Sequence, residues 1–415
     1  MKKQRKHSTV SSIWESIPLA LSSLWSNKLR AFLTLLGIVI GVSTVIAVVS
    51  IIAGMNNYVI GTFAAWGSDN FSIQKMGIVT SREMFREKNK RADITIEQKE
   101  MVERLCKNCV NVGAQLVKNG RIKYERESVD DAYVVGLTKN VLWLSRLNVE
   151  YGRDFTDLDV NNRRSVCILG ADIVENLFPN LDPLGKKVRL SGELFTVVGV
   201  VEKRGSFLGQ SMDNFVLIPF STYTKLYGNN QSVEIIIRAH GRETMFSTQD
   251  EVRTILRSAR EVPINEEDDF DIITSDMLID LYRSFTSAAF MVMIGISSIA
   301  LIVGGIVIMN IMLVTVAERT REIGIRKAVG ARKRDIMNQF LVESITVSGA
   351  GGLLGILLGM TIAKVVAAVS PLPAAIELWS VLVGILISSI IGIFFGIYPA
   401  MRAARLDPIE ALRAD

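Results

Sequence analysis

The side chains that most often carry chemistry are few and scattered in this sequence. His7 and His240 are isolated, so neither a histidine-based metal site nor a catalytic triad can be assembled. Three cysteines give one spaced pair, Cys106-x-x-Cys109, near the end of a helical pattern, and a lone Cys167 in an apolar strand pattern. The pair suits a local disulfide, simple or inert thiols, or a redox or metal site. The βαβ setting of a thioredoxin-type centre is not seen around it. The acidic residues show no paired spacing that singles out acid–base work. Gly185-Lys186-Lys187 lacks both the earlier glycine and the Ser/Thr of a phosphate loop, and no complete G-x-x-x-x-G-K-[ST] occurs anywhere. These residues are therefore expected to bind neither ATP nor magnesium, and no cofactor, metal or catalytic residue is expected. Charge is instead concentrated in the stretch Asn310–Glu343. There Glu318, Arg319, Arg321, Glu322, Arg326, Lys327, Arg332, Lys333, Arg334 and Asp335 surround Ile323, Ile325, Ala328 and Val329. A short helix with an apolar knob and a charged rim suits docking into a partner's groove. A solvated loop that merely enforces topology fits the same pattern equally well.

The elements that position this segment are set by hydropathy. The chain has 415 residues, 49% hydrophobic and 21% charged, and a mean hydropathy of +0.31. Disorder and a disulfide-stapled mini-protein are excluded by the apolar content and by the cysteine count. The apolar residues gather in four runs: Ala31–Gly54, the 34 uncharged residues between Arg283 and Glu318, Ser344–Ala363, and Leu378–Met401. A spanning helix needs roughly 20 apolar residues, so all four qualify. Core helices of a soluble enzyme are shorter and carry a polar face. The first run starts too late and is too long for a cleavable signal peptide. The second, at roughly 51 Å if helical, exceeds the bilayer core, so its outer part, Phe285–Met293, is expected to continue as a stalk.

Four spans place both termini and the 318–343 segment on one side. That side carries Lys2, Lys3, Arg5, Lys6, Lys28 and Arg30, then the charged cluster, then Arg402, Arg405 and Arg413. The positive-inside rule makes it cytoplasmic. The intervening residues 55–284 hold 30 Lys+Arg and 33 Asp+Glu, a net −3, so the rest of the chain holds +8 of the overall +5. The basic balance therefore reflects topology, and no nucleic-acid partner is expected. The organisation expected is a cytoplasmic N-terminus over 1–28, with an amphipathic in-plane helix over Val10–Lys28, then a first span over 29–54. An extracytoplasmic domain follows over 55–284, then a second span with stalk over 285–317 and the charged segment 318–343. The third span is 344–366, the fourth 378–401, and the tail 402–415. The spans lack mid-membrane acids or bases, which argues against an ion-coupled transporter. Their small-residue ladders are Gly37/Gly41, Gly351/Gly355/Gly359 and Gly392/Gly396. These allow close helix packing, within the chain or between two copies.

Residues 55–284 read as mixed α+β in two lobes. Helical patterns run over Thr95–Cys106, with Gln98 completing a capping box, over Ala171–Phe178 and over Thr248–Ser258. Strands are expected at Arg121–Tyr124, Ala132–Leu137, Ser165–Leu169, Lys187–Leu190, Thr196–Val201, Phe215–Ile218 and Glu234–Arg238. Ser81–Arg91 is expected to be a mobile loop, and the acidic Glu261–Asp271 also a loop. The fold class expected is thus a membrane α-helical protein of four transmembrane helices with a large two-lobed α+β extracytoplasmic domain.

Ala317–Arg332 (AERTREIGIRKAVGAR) resembles the inner coupling segment of MacB/FtsX-type permeases of ABC transporters. Asn27–Val42 (NKLRAFLTLLGIVIGV) looks like the family's first span. Tyr151–Phe155 (YGRDF) and Asp182–Lys186 (DPLGK) resemble turns of its outer core domain, and Tyr398–Arg413 (YPAMRAARLDPIEALR) resembles its C-terminal signature. The order of these matches covers most of the chain. The resemblance implies a permease that works by mechanotransmission: nucleotide-driven closure of an ATPase is relayed to the outer domain. It assigns the coupling role to Glu318, Arg319, Arg321, Glu322, Ile323, Gly324, Arg326 and Lys327. The partners it implies are a separate ABC ATPase subunit that binds ATP and magnesium, a second permease copy, a periplasmic adaptor with an outer-membrane channel, and the lipid of a bacterial inner membrane. Export of a hydrophobic drug, peptide or lipoprotein-like substrate is implied, and the large outer domain favours this. An FtsX-like relay that regulates a cell-wall hydrolase is the alternative.

Overall fold

A computed structural model describes residues 28–66, 69–207 and 209–413. The in-plane helix expected over Val10–Lys28 falls outside them but for its last residue. The chain divides into two compact units, one of residues 1–58 and 284–415 and one of residues 59–283.

The first element is helix α1 (Lys28–Trp66). The second unit then runs β1 (Asn70–Gln74), α2 (Arg82–Asn89), α3 (Ile96–Leu105), β2 (Cys109–Tyr124), β3 (Glu127–Leu137), α4 (Val141–Leu144), β4 (Val149–Gly152), α5 (Asp157–Asn161), β5 (Val166–Leu169) and α6 (Ala171–Leu177). It continues with β6 (Lys187–Leu190), β7 (Glu193–Val201), β8 (Ser206–Phe207), β9 (Gln210–Ser211), β10 (Phe215–Pro219), α7 (Phe220–Tyr227), β11 (Glu234–Ala239), α8 (Met245–Ala259) and β12 (Asp271–Thr274). The remaining helices are α9 (Ser275–Glu318), α10 (Thr320–Ala328), α11 (Lys333–Val369), α12 (Leu378–Arg405) and α13 (Pro408–Arg413).

In the second unit one sheet runs in the order β12-β1-β11-β2-β3-β10-β5-β7-β4, with β6 bridging β2 and β7. Three buried cores pack on it, one of them formed by Val141, Leu142 and Leu144 of α4 with Leu137, Ile168 and Leu217. At one end Phe71, Ile73, Ile235 and Ile237 pack against Val102 of α3 and Val252 and Leu256 of α8. Towards the other, Val134, Cys167, Leu169, Val188, Val197 and Ile218 surround Ile173 and Leu177 of α6. All seven expected strands and the three expected helices form. The Thr95 capping box closes as its spacing predicts. Burial pushes the Cys167 thiol well up, consistent with an inert apolar residue.

Both resembled turns are built by glycines in the left-handed region, and only the first is also crowded. Gly152, at φ +89°, has its Cβ position 2.3 Å from the Val198 carbonyl oxygen, and Gly185 adopts φ +72°. Just beyond the first turn, Asp159 is completely buried and caps its own helix. It accepts from the Thr156 amide at 3.0 Å, from Thr156 Oγ1 at 2.6 Å and from Arg153 Nη1 at 2.7 Å. Burial alone would raise its pKa; the Arg153 and Thr156 hydrogen bonds outweigh that and hold it at about 2.

Two expectations are modified. Ser81–Arg91 is not a loop: Ser81 Oγ accepts from the Met84 amide and caps α2. Lys88 and Arg91 anchor the segment to Asp271 at 2.6 and 3.3 Å. Dense charge here reflects a solvated helix tied down by ion pairs rather than chain mobility. The acidic segment Glu261–Asp271 is a loop, but a pinned one. Arg257 holds Asp268 at 2.6 Å, and the almost fully buried Arg260 holds Asp269 at 2.6 Å.

In the first unit, among the described residues, four helices are long and apolar enough to cross a membrane. All run past the expected spans: α9 begins at Ser275 and has 44 residues, and α11 begins at Lys333, inside the charged segment. The glycine ladders face neighbouring helices of the same chain. A Cβ on Gly37 would lie 2.5 Å from Gly304 Cα of α9, and one on Gly41 2.5 Å from the Leu301 side chain. Gly351, Gly355 and Gly359 of α11 meet Ile38, Val42 and Ser43 of α1. Between α11 and α12 the contact is reciprocal: Gly392 and Gly396 face Ser348 and Ser344, while Gly352 faces Ser388. Ser344 Oγ also donates to the Gly392 carbonyl at 2.8 Å. Apolar side chains gain little by leaving lipid, so backbone approach at small residues supplies the cohesion.

Two outcomes follow. Asp159→Asn should lower stability by on the order of 2 kcal/mol at neutral pH. A depressed carboxyl contributes fully above its unfolded pKa, so the gap to the parent, measured by denaturation, should close as pH falls from about 4 towards 2. Gly392→Leu, whose Cβ alone would come 2.0 Å from Ser348 Oγ, should lower the melting temperature of the detergent-solubilised chain. Gly349→Leu, with open space around it, should not.

Candidate functional site

The charged segment folds into a corner. α9 ends at Glu318, and Arg319, at φ −98° and ψ 13°, breaks the helix before α10 starts. Thr320 Oγ1 donates back to the carbonyls of Val316 and Ala317, which satisfies the acceptors freed at the break. Gly330, at φ +106°, ends α10. The Arg332 amide then donates to Asp335 at 3.0 Å and opens α11.

The residues assigned to coupling divide by orientation. Ile323 is 2% exposed, in the core with Val316, Ile336, Phe340 and Ala403. Gly324 lies against α13, its Cβ position 2.8 Å from Ala411 Cβ. Lys327 Nζ donates to the Ala404 and Leu406 carbonyls at the end of α12. A cation there meets both the unsatisfied acceptors and the negative end of the helix dipole. Arg319 reaches the buried Glu343 of α11 at 3.3 Å. Arg326 is half outward, donating to Gln339 at 2.6 Å and pairing with Glu322 one turn back. Glu318, Arg321 and Glu322 are exposed.

The sequence placed Ile325 and Val329 in the apolar knob of this segment without separating them from the buried Ile323; what it missed is the partner helix α13 and its apolar positions. Ile325 is 50% and Val329 84% exposed on α10, with Ile409 73% and Leu412 47% exposed on the adjoining α13. Their signal was present: apolar residues at i and i+4 inside a charged segment (Ile325, Val329), and an apolar i, i+3 pair in the tail (Ile409, Leu412). Asp407 starts α13 by accepting the Ile409 amide at 2.8 Å. An apolar patch framed by Arg321, Glu322 and Glu410 can do no covalent chemistry; it can dock. Among the described residues no cluster of three His, Cys, Asp or Glu could hold a metal.

Elsewhere, Cys106 and Cys109 are joined as a disulfide at the end of α3. Glu251 of α8 accepts the amides of Lys107 and Asn108 between them at 2.8 and 3.1 Å, so this pair closes a structural turn.

Comparison with known proteins joins the two units. The MacB-like periplasmic core domain matches residues 31–255, and the FtsX-like permease C-terminal domain matches residues 294–408. The chain belongs to the MacB/FtsX-type ABC transporter permeases. It is 32% identical over 97% of its length to an uncharacterized ABC transporter permease, YknZ of Bacillus subtilis, of which it covers 99%. It is 31% identical over 96% of its length to the macrolide export ATP-binding/permease protein MacB of Bdellovibrio bacteriovorus, and spans 61% of that protein. To the pyoverdine export ATP-binding/permease protein PvdT of Pseudomonas syringae it is 31% identical over 97% of its length, and spans 60% of it. The chain thus spans about three fifths of these ATP-binding relatives and the whole of the permease relative. It is a multi-pass membrane permease with an α+β extracytoplasmic domain, and the corner between α9 and α11 lies in its FtsX-like half.

The Arg319–Glu343 pair ties this corner to α11. Arg319→Glu should lower the melting temperature of the detergent-solubilised chain by several degrees, and so should Glu343→Arg. The double exchange, which restores opposite charges, should recover most of the loss. Equal loss in the double variant would show that the pair does not hold the corner.

Proposed function

We propose that this permease is driven by ATP hydrolysis on a separate ABC ATPase subunit, which docks on the outward face of α10 and α13 and whose closure is relayed to the extracytoplasmic domain. One observation carries it: α10 is locked inward by Ile323, Gly324 and Lys327 and presents Arg321, Glu322, Ile325 and Val329 outward. A helix held this way transmits a push as a rigid body instead of absorbing it. The permease-only relative, matched along nearly its whole length, supports a split arrangement. In the relatives that carry an ATP-binding part, the region this chain does not span has room for it.

The cargo in this proposal is a hydrophobic drug or peptide-like compound, exported without passing a charged pore. Both relatives with a named cargo are exporters, which supports export over a cell-wall relay. The setting is a bacterial inner membrane with both termini cytoplasmic, following the positive-inside distribution. A second permease copy completes the unit. Lipid or that copy covers the exposed Met291, Val292, Ile299 and Val303 of α9. A periplasmic adaptor and outer-membrane channel extend the path where the host has an outer membrane.

Arg321→Glu with Glu322→Arg leaves every inward contact of α10 in place apart from the Arg326 pair. Co-purified with its ATPase in liposomes, this double variant should lose about tenfold or more in substrate-stimulated ATP turnover. The melting temperature should be unchanged. Full stimulation in the variant would place ATPase docking elsewhere.

A further inference from the structure

The α+β domain carries an open cleft of about 360 Å³ on the sheet face opposite the core of α3 and α8. Strand periodicity builds it. Phe71 and Ile73 of β1, and Ile235 and Ile237 of β11, are buried on the core side. Their neighbours Ser72, Gln74, Glu234 and Ile236 therefore project into the cleft. Its wall is apolar, formed by Leu147, Val135, Met212, Phe215, Leu217 and Ile236.

The charge in this cleft is unevenly placed. Glu234 accepts from Gln74 Nε2 at 2.6 Å through one oxygen and from Gln115 Nε2 at 2.8 Å through the other. Both donors are neutral amides, and Glu234 has no ion-pair partner among the described residues. They orient the carboxylate without cancelling its charge. A half-buried carboxylate beside apolar surface is costly until a cation joins it. Arg204 lines the other end, its backbone held by Asp213 just before β10. β10 lies three strand spacings from β11, or about 14 Å. An organic cation is therefore drawn to the Glu234 end, where its charge is unopposed, and disfavoured near Arg204, whose charge Asp213 only partly offsets, while the wall between takes an apolar body.

We propose that this cleft binds a cationic amphiphile, with its ammonium or iminium head on Glu234 and its ring system or chain along Ile236, Val135, Leu217 and Phe215. The volume suits a drug-sized molecule. As the cargo site of an exporter this deepens the function proposed above, but the binding itself requires neither ATPase nor coupling.

Ethidium titrated into the full chain in zwitterionic-lipid nanodiscs, read by fluorescence anisotropy against empty nanodiscs, tests it. Saturable binding is expected. Glu234→Gln, which keeps the shape, should weaken binding about tenfold, and Met212→Trp, at a half-exposed lining position, should abolish it by filling the cleft. Arg204→Glu, at the exposed rim, should tighten it several-fold, an opposite effect that misfolding cannot mimic. Anilinonaphthalene sulfonate, an anion of similar size, should not compete. Absence of saturable binding, equal affinity in Glu234→Gln and Arg204→Glu, or competition by the anion would overturn the proposal. A failure of ATPase coupling with ethidium binding intact would instead count against the docking site on α10 and α13.

Discussion

The contact on which the corner between α9 and α11 depends is the closure of α12 by Lys327. A helix of 28 residues ends there with unsatisfied carbonyls, and one ammonium from α10 answers two of them. This fixes α10 to the end of a spanning helix and leaves its other side to solvent. Ile323 and the Gly324–Ala411 contact complete the attachment. The outward apolar surface of α10 is thus carried by a rigid frame.

That frame is held by close approach, not by hydrophobic transfer. Glycine and serine alternate across α11 and α12, so each helix offers a hollow where the other offers a small polar side chain. The serine hydroxyls are satisfied within the helices or across them, at Ser344 to Gly392 and at Ser348 to the Ile345 carbonyl. No charge is needed at mid-membrane to hold such a bundle. Arg319 and Glu343 meet at the corner itself, where α9 gives way to α10.

The α+β domain follows a different logic. Its sheet is continuous, and the helices of its three cores pack at different places along it, so that beside α4 one face near β1 and β11 keeps an open cleft. There the strands alternate between core and cleft, and the cleft residues keep a carboxylate without a cation. The pinned loop after α8 and the anchored helix α2 flank the same end through Asp271 and Asp269. Charged segments that look like solvated loops are here part of the fold's cohesion.

Hydropathy by itself determined the four spans, and the long stretch between the first two marks the α+β domain. Span length and the cost of a charge in lipid leave little choice. Strands with clear alternation and the Thr95 capping box were equally legible, because period and cap chemistry are local. The helix at Arg82–Asn89 was not, since ion pairs with Asp271, far away in sequence, hold it. The charged motif was recognisable from its residues, yet which of them face outward was undecided. Ile323 and Ile325 are two positions apart and chemically alike; only the packing of α13 and the closure of α12 by Lys327 bury one and expose the other. Tertiary structure alone decided that, and also the use of the glycine ladders within the chain, because burial is fixed by neighbours that the local sequence does not name.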